Sequence, residues 1–245
     1  MLLRNLGSGS RGNATVVAHR GRAILIDAAL PRRRMRAGIE GLGLEGVLIT
    51  HRHTDHLGPY AAELGAPVWI GRDNLEDARW LGRIGDGVRI FDGRPFRIGP
   101  FRVAAFPLPH PGDESWHSWG FLIEGGRRRL FYATDLGHVP DGAAEALRDA
   151  HAILLESNHD PAMERASARP PSLVRWVLSD HGHLSNDQCA GALARARRPH
   201  TVVLGHLSED CNTPPLALRT ARRALPRSTR LLAARQDAPT ETIRI

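Results

Sequence analysis

The 245-residue chain contains no lysine, so arginine supplies all 33 of its basic side chains. These outnumber the 26 acidic residues and give the chain a net charge of +7. A positive field attracts anionic partners such as nucleic acid. The arginines are scattered along the chain, however, and the complete absence of lysine is typical of a compositional bias. The charge alone therefore does not predict a nucleic-acid partner.

Cysteine and long apolar runs are also scarce. The two cysteines, Cys189 and Cys211, do not suggest a disulfide framework. No apolar run is long enough to span a bilayer, and no charged-then-apolar signal segment opens the chain. We therefore expect a cytoplasmic protein with no membrane partner.

The hydrophobic content of 42% is enough to bury the core of one sizeable domain. We find no internal repeat, low-complexity tract or long polar linker, so we expect a single domain over residues 1–245. Helical patterns become commoner in the second half of the chain. Strand patterns fall at about 14–18, 23–27, 46–50, 67–70, 101–106, 119–124 and 129–133.

The segment His51-Arg52-His53-Thr54-Asp55-His56 packs three imidazoles and a carboxylate into six residues directly after the apolar run Gly46–Thr50. A buried strand that ends near Thr50 delivers these side chains to one sheet edge. Histidine together with carboxylate suits zinc, manganese or iron, and two such ions suit metal-assisted hydrolysis. The alternative is a solvated, histidine-rich loop.

This segment resembles the signature of the metallo-β-lactamase superfamily, His-x-His-x-Asp-His after a strand. Further matches follow the order of that superfamily: Ile24-Leu25-Ile26-Asp27, Phe106-Pro107-Leu108-Pro109-His110, Tyr132-Ala133-Thr134-Asp135 and Leu204-Gly205-His206. The resemblance implies an α+β fold, a four-layer αββα sandwich, with a dinuclear metal site at one sheet edge. Asp27 would support the metal ligands from behind.

The resemblance also implies a set of metal ligands. His51, His53 and His110 would bind one ion. Asp55, His56 and His206 would bind the second ion, and Asp135 would bridge both. Two divalent ions are implied, with zinc as the first choice and manganese or iron as alternatives.

The third ligand of the first ion has a competitor, because His110 and His117 both lie between two predicted strands. We prefer His110, which directly follows its strand, as the other proposed ligands do. His117 would then be a loop residue.

Within the superfamily, the chain is similar to the YycJ or WalJ-like branch of metallohydrolases. Four blocks carry this similarity: Ser8-Gly9-Ser10-Arg11-Gly12-Asn13, Glu156-Ser157-Asn158-His159-Asp160, Gly182-His183-Leu184-Ser185-Asn186 and His206-Leu207-Ser208. Members of that branch are thought to act on DNA as exonucleases. The resemblance implies that activity here, although no residue pattern demonstrates it.

Two helix starts could favour an anionic substrate. Ser185 and Gln188 have the spacing of a capping box, which predicts a helix just after His183. Thr213 precedes two prolines and predicts a second helix start. A helix N-terminus beside an imidazole attracts anions, so a phosphate-bearing substrate is plausible.

We therefore predict a hydrolase that attacks a phosphodiester, in the form of nucleic acid, with metal-bound hydroxide. Asp55 could orient that hydroxide. His183 and His159 are candidates for substrate binding or proton donation, with a structural role as the alternative. Trp116 and Trp119 could stack bases, but a structural role is favoured.

Two other functions remain open. A carboxylic ester, lactone or thioester hydrolase would use the same metals. A noncatalytic nucleic-acid-binding protein would bind DNA without turnover, but the complete ligand set argues against it.

Overall fold

The computed structural model describes residues 1–80, 82–84, 87–110, 116–197 and 199–245. Its contacts divide the chain into two compact units, which we call the first and second units. The first unit comprises Met1–Ala105, Ile123–Arg128 and Arg235–Ile245, and the second comprises Phe106–Leu122 and Arg129–Ala234. The single domain expected over residues 1–245 stays a prediction.

Strands dominate the first half of the chain, as predicted. In chain order they are β1 Leu2–Gly7, β2 Ala14–His19, β3 Arg22–Ile26, β4 Gly43–Leu48, β5 Val68–Gly71, β6 Val88–Phe91, β7 Phe96–Ile98, β8 Phe101–Leu108, β9 Ser118–Gly125, β10 Arg128–Ala133, β11 Ala152–Glu156, β12 Thr201–Gly205, β13 Arg230–Ala233 and β14 Ile243–Arg244. Each predicted strand overlaps one of these strands.

Helices are commoner in the second half. They are α1 Arg32–Gly38, α2 Leu75–Trp80, α3 Asp141–Arg148, α4 Pro161–Arg165, α5 Pro171–Val177, α6 Asn186–Leu193 and α7 Pro214–Arg222, with short 3-10 helices at Ala61–Leu64 and Arg72–Asn74. The capping box predicted at Ser185 and Gln188 is confirmed at the start of α6. The Thr213 cap predicted for α7 is also confirmed.

The strands form two mixed sheets, which confirms the predicted α+β class. The orders are β14-β1-β2-β3-β4-β5-β6 and β13-β12-β11-β10-β9-β8-β7. Strands β3 to β6 are parallel in the first sheet, and β10 to β13 are parallel in the second. The carboxyl ends of neighbouring parallel strands meet at one edge, which is where sites form in such sheets.

Each unit has its own hydrophobic core. In the first unit, Leu25, Val47 and Ile49 are fully buried in a cluster that also contains Met35 of α1. In the second, Ile153 and Leu204 belong to a cluster that extends to residues of α3, α6 and α7. Strands that are apolar on both faces, such as β11 and β12, are typical of buried parallel sheets.

Among the described residues, no helix combines the length and the apolar content needed to cross a membrane. The cytoplasmic location stays a prediction.

Candidate metal centre

The histidine-rich segment of the first unit forms a compact turn after β4. Backbone N–H groups of His56 and Leu57 both donate to the carbonyl of His53, at 3.0 and 2.8 Å. The turn brings the imidazoles together, with the ring centroids of His51 lying 4.7 Å from His53 and 4.2 Å from His56. His51 and His56 are fully buried, whereas Asp55 is half-buried.

Asp27 holds this turn from the end of the neighbouring strand β3. Its fully buried carboxylate accepts hydrogen bonds from the backbone N–H of Thr50 (2.9 Å), the hydroxyl of Thr50 (2.9 Å) and Nδ1 of His56 (2.8 Å). The φ angle of Asp27 is 59°, a strained left-handed value for a non-glycine residue. The support role predicted for Asp27 is consistent with these contacts.

These bonds select which nitrogen of each imidazole is available. The Thr50 hydroxyl gives its one proton to Asp27, so its oxygen accepts from Nδ1 of His51 at 3.1 Å. Nδ1 of His56 donates to Asp27. The Nε2 atoms of both rings therefore carry the lone pair, as metal-ligating histidines require.

The amino-terminal block that resembles the YycJ or WalJ-like branch wraps the same turn. The backbone N–H and the side-chain amide of Asn13 both donate to the carbonyl of Asp55, at 2.8 and 3.0 Å. The Asn13 amide nitrogen also lies 3.1 Å from Nε2 of His56. A Cβ on Gly12 would come within 2.4 Å of the carbonyl oxygen of Ala29, so this close approach requires glycine.

In the second unit, three neighbouring parallel strands each end at an acidic or histidine side chain. Asp135 follows β10, Glu156 ends β11, and His206 follows β12. Asp135 and His206 have left-handed φ angles of 59° and 52°. One ligand atom from each of these residues and from His183 lies within 4.8 Å of the others, a spacing that could hold a metal ion.

Glu156 is the hub of this cluster. Its Oε1 accepts from Nδ1 of His183 at 2.9 Å and from Nδ1 of His206 at 3.0 Å. Its Oε2 accepts from the backbone N–H groups of Leu184 and Leu136, at 3.0 and 3.2 Å. Burial alone would raise the pKa of Glu156, but the charge of His183 and the hydrogen bonds from both histidines lower it to about 2. The group is therefore a carboxylate throughout the physiological range.

His206 lies between two carboxylates, those of Glu156 and Asp135. Nε2 of His206 is 3.5 Å from the Asp135 carboxylate, on the ring edge opposite the bond to Glu156. Asn158 fixes the backbone by donating to the carbonyl of His206 at 2.9 Å. Nδ1 of His206 is thus occupied by its carboxylate partner, and Nε2 faces a second carboxylate.

His110 lies on the second-unit cluster beside His183, with ring centroids 5.1 Å apart. Its Nδ1 donates to the carbonyl of Gly182 at 3.0 Å, which leaves Nε2 with the lone pair. Burial lowers the pKa of His110 to about 4, so the ring is neutral at pH 7, the form that binds metal. His117, by contrast, is half-buried and its ring lies edge-on to Trp119.

His159 is buried near the start of α6. It is 1% exposed, and its carbonyl accepts from the backbone N–H of Asn186 at the start of α6. Burial lowers the pKa of His159, which favours the neutral ring. The catalytic role of His159 stays a prediction.

Two contributions to the site were missed from the sequence. Glu156 was noted as part of a motif, but its bonds to two histidines come from tertiary structure and have no spacing signal. Trp176 of α5, whose ring centroid lies 5.4 Å from those of His110 and His183, was not considered. Trp116 and Trp119 are only 3% and 8% exposed, which agrees with the favoured structural role.

Comparison with known proteins identifies the family. A family model described as a β-lactamase superfamily domain matches residues 22–207. The chain is 31% identical over 241 residues to exodeoxyribonuclease YycJ of Bacillus anthracis, with 90% of this chain and 87% of that protein covered.

Solved structures show the fold. The metallo-β-lactamase fold protein YhfI from Bacillus subtilis matches with a TM-score of 0.75 and 16% identity, covering 98% of both chains. Zn²⁺-bound PqqB from Methylobacterium extorquens matches with a TM-score of 0.69 and 18% identity, covering 98% of this chain and all of that chain. Together with the sequence matches, they confirm the predicted metallo-β-lactamase fold and metal-dependent hydrolase class. The chain belongs to the β-lactamase superfamily, in the YycJ or WalJ-like branch of its metallohydrolases.

Proposed function

We propose that this chain is a metal-dependent exonuclease that hydrolyses phosphodiester bonds of DNA with two divalent ions, zinc being the first choice. The observation that carries the proposal is the 31% identity to an exodeoxyribonuclease across 90% of the chain. Two groups of oriented histidines and carboxylates, one in each unit, support it. Manganese and iron suit the same donors.

The proposed ligand set fits divalent metal in its donor chemistry. His51, His53 and His110 would hold one ion. Asp55, His56 and His206 would hold the other, with Asp135 shared. Nδ1 of four of these histidines bonds to a protein oxygen: His51 to Thr50, His56 to Asp27, His110 to the Gly182 carbonyl and His206 to Glu156. Such partners orient the ring and leave Nε2 for metal.

When bound, the two ions would supply Lewis acidity toward water and toward the phosphoryl oxygens. The remaining work falls to side chains. Asp55 is half-buried, with one carboxylate oxygen 3.6 Å from Nε2 of His56, and would orient the attacking water. We assign this role to Asp55 because its carboxylate reaches solvent and lies beside a nitrogen of a proposed metal ligand.

His183 is the proposed proton donor to the leaving oxygen. Its ring is 15% exposed, so it reaches solvent, and its Nδ1–H donates to the Glu156 carboxylate. Glu156 fixes the orientation of the His183 ring, which is the arrangement of a general acid held by a carboxylate. Nε2 of His183 would carry the transferred proton.

The proposal is tested by hydrolysis of single- and double-stranded DNA, RNA and bis(p-nitrophenyl) phosphate by protein reconstituted with zinc or manganese. We expect nucleotide release from DNA ends that falls at least 1,000-fold in Asp135→Ala. Asp149→Ala, which changes an exposed aspartate at the end of α3, is the matched control and should retain activity.

Turnover of carboxylic esters, lactones or thioesters without any phosphodiester turnover would overturn the nuclease proposal in favour of the other hydrolase class. DNA binding that survives His51→Ala and His53→Ala, with no turnover at any metal loading, would instead indicate a noncatalytic binding protein.

A further inference from the structure

One aromatic side chain of the second unit has a position that the proposed chemistry does not use. Trp176, near the end of α5, is half-buried. Its ring centroid is 5.4 Å from that of His183, edge to face, and 5.4 Å from that of His110, at a tilt. It therefore contacts both the proposed proton donor and a proposed metal ligand.

We propose that Trp176 and Leu173 form a binding platform for a nucleobase of the DNA end, which we call the α5 platform. This inference rests on the proposed function. Leu173 is 40% exposed, an unusual degree for a large apolar residue in this protein. Residues three apart on a helix are neighbours, so the exposed Leu173 lies next to Trp176 on one face of α5.

The α5 platform is held rigidly against the site. A Cβ on Gly182 would come within 2.1 Å of the Trp176 carbonyl oxygen and 2.4 Å of that of Val177, so the loop after α5 folds back in contact with the helix. The backbone N–H of His183 donates to the Val177 carbonyl at 3.1 Å. This bond holds the backbone of His183 against the end of the helix that carries Trp176, an anchoring that favours a preorganised binding group.

The chemistry of this surface favours a base over a phosphate. Trp176 and the exposed Leu173 offer an aromatic and an apolar side chain, and every nucleobase has a π-face that stacks on such a surface. A base is one sugar away from its phosphate, so a base on Trp176 would lie close to a phosphate beside His183. The α5 platform would thereby position the terminal nucleotide and favour unpaired ends.

The test compares a ten-residue oligothymidylate with an abasic oligomer of the same length. Binding to the metal-free protein is measured by calorimetry, and kcat/KM is measured with the zinc-loaded protein. We expect the wild type to prefer the oligomer with bases by roughly 5- to 150-fold, the range for stacking of one base. Trp176→Leu keeps an apolar side chain and should abolish that preference while changing abasic binding less than 2-fold.

Two variants serve as controls. Trp176→Phe retains a ring and should keep much of the preference. Trp69→Leu makes the same chemical change at a half-buried tryptophan of the first unit, where the ring stacks on Phe96 at 5.0 Å, and should leave the preference unchanged. Thermal unfolding of each variant shows whether it is folded.

Each outcome decides the inference. The α5 platform is contradicted if the wild type binds the two oligomers equally or binds neither of them. It is also contradicted if Trp176→Leu weakens the binding of both oligomers to the same extent, because that result indicates a packing role for Trp176. If the base preference depends on Trp176 but the zinc-loaded protein hydrolyses no DNA, the platform stands as a binding site and the exonuclease proposal fails.

Discussion

The two units assemble their clusters of histidines and carboxylates in different ways. In the first, six consecutive residues, His51 to His56, contain three imidazoles and a carboxylate. In the second, His110, Asp135, Glu156, His183 and His206 come from loops and strand ends spread over almost 100 positions. Local spacing builds the first cluster, whereas the parallel strands β10, β11 and β12 gather the second.

The units agree in how they orient their imidazoles. Asp27 holds His56 in the first unit, and Glu156 holds His183 and His206 in the second. Both carboxylates are fully buried. A local cluster of histidines and a dispersed one therefore need the same support, a buried carboxylate that bonds to Nδ1. The spacing of residues in the sequence reveals this carboxylate in neither unit.

Asp27→Ala should have the largest effect. It would leave buried donors of Thr50 and His56 without an acceptor, at a cost of about 4 kcal/mol in the free energy of unfolding. Loss of ring orientation should weaken metal binding by about 10- to 100-fold. Denaturant unfolding and zinc competition against a chelator measure both. Asp27→Asn is the control: it tolerates the left-handed backbone and should retain part of the stability.

Glu156→Gln should have the next largest effect. The amide has one acceptor oxygen in place of two, so at least one of four buried donors loses its partner, which destabilises the protein by about 3 kcal/mol. Because Glu156 serves two imidazoles, zinc affinity and the acidic limb of the pH–rate profile should change together. A normal zinc affinity with a normal profile would contradict the role of Glu156 as hub.

His110 and Glu156 should contribute to the free energy of unfolding in different pH ranges. His110 has a pKa of about 4 in the folded protein and about 6.5 when unfolded, so the unfolded chain binds the extra proton first. Stability of the metal-free protein should therefore fall by no more than about 3 kcal/mol as pH decreases from 6.5 to 4. The contribution of the Glu156 carboxylate to stability should be lost at lower pH, as the pH falls from about 4.5 to about 2.

Denaturant unfolding of wild type and His110→Gln across this range checks the assignment. The variant should lose the largest part of the dependence between pH 6.5 and 4, with a remainder from His159, whose pKa burial also lowers, and should keep the dependence at lower pH. An unchanged upper window in the variant would assign that window to another group.

Ser185→Ala should have the smallest effect. It removes the capping box of α6, with a loss of about 1 kcal/mol. Thr213→Ala, which removes the cap of α7, should cost a similar amount because its bond to Leu216 is also a simple N-cap bond. Urea midpoints of both variants measure the difference. A loss above about 3 kcal/mol at Ser185 would show that the cap supports the site cluster as well as the helix.

The sequence predicted the elements whose signals are local. Period-two and apolar runs located β2 to β5 and β8 to β10. The Ser185 capping box located α6, and the Thr213 cap before two prolines located α7. The strands β11 to β13 were not predicted, because short runs that are apolar on both faces carry no alternation. The ligand types could be proposed from motif order. The groups that bond to Nδ1 of the histidines, such as Asp27, the Gly182 carbonyl and Glu156, come from tertiary contacts that motif order does not show.

The most direct test of the account is to titrate metal-free protein with zinc and to follow nucleotide release from DNA. We predict no release without metal, a rise to a plateau at two zinc ions per chain, and complete loss of activity with excess chelator. DNA hydrolysis by the metal-free protein, or a fully zinc-loaded protein that releases no nucleotide, would contradict it.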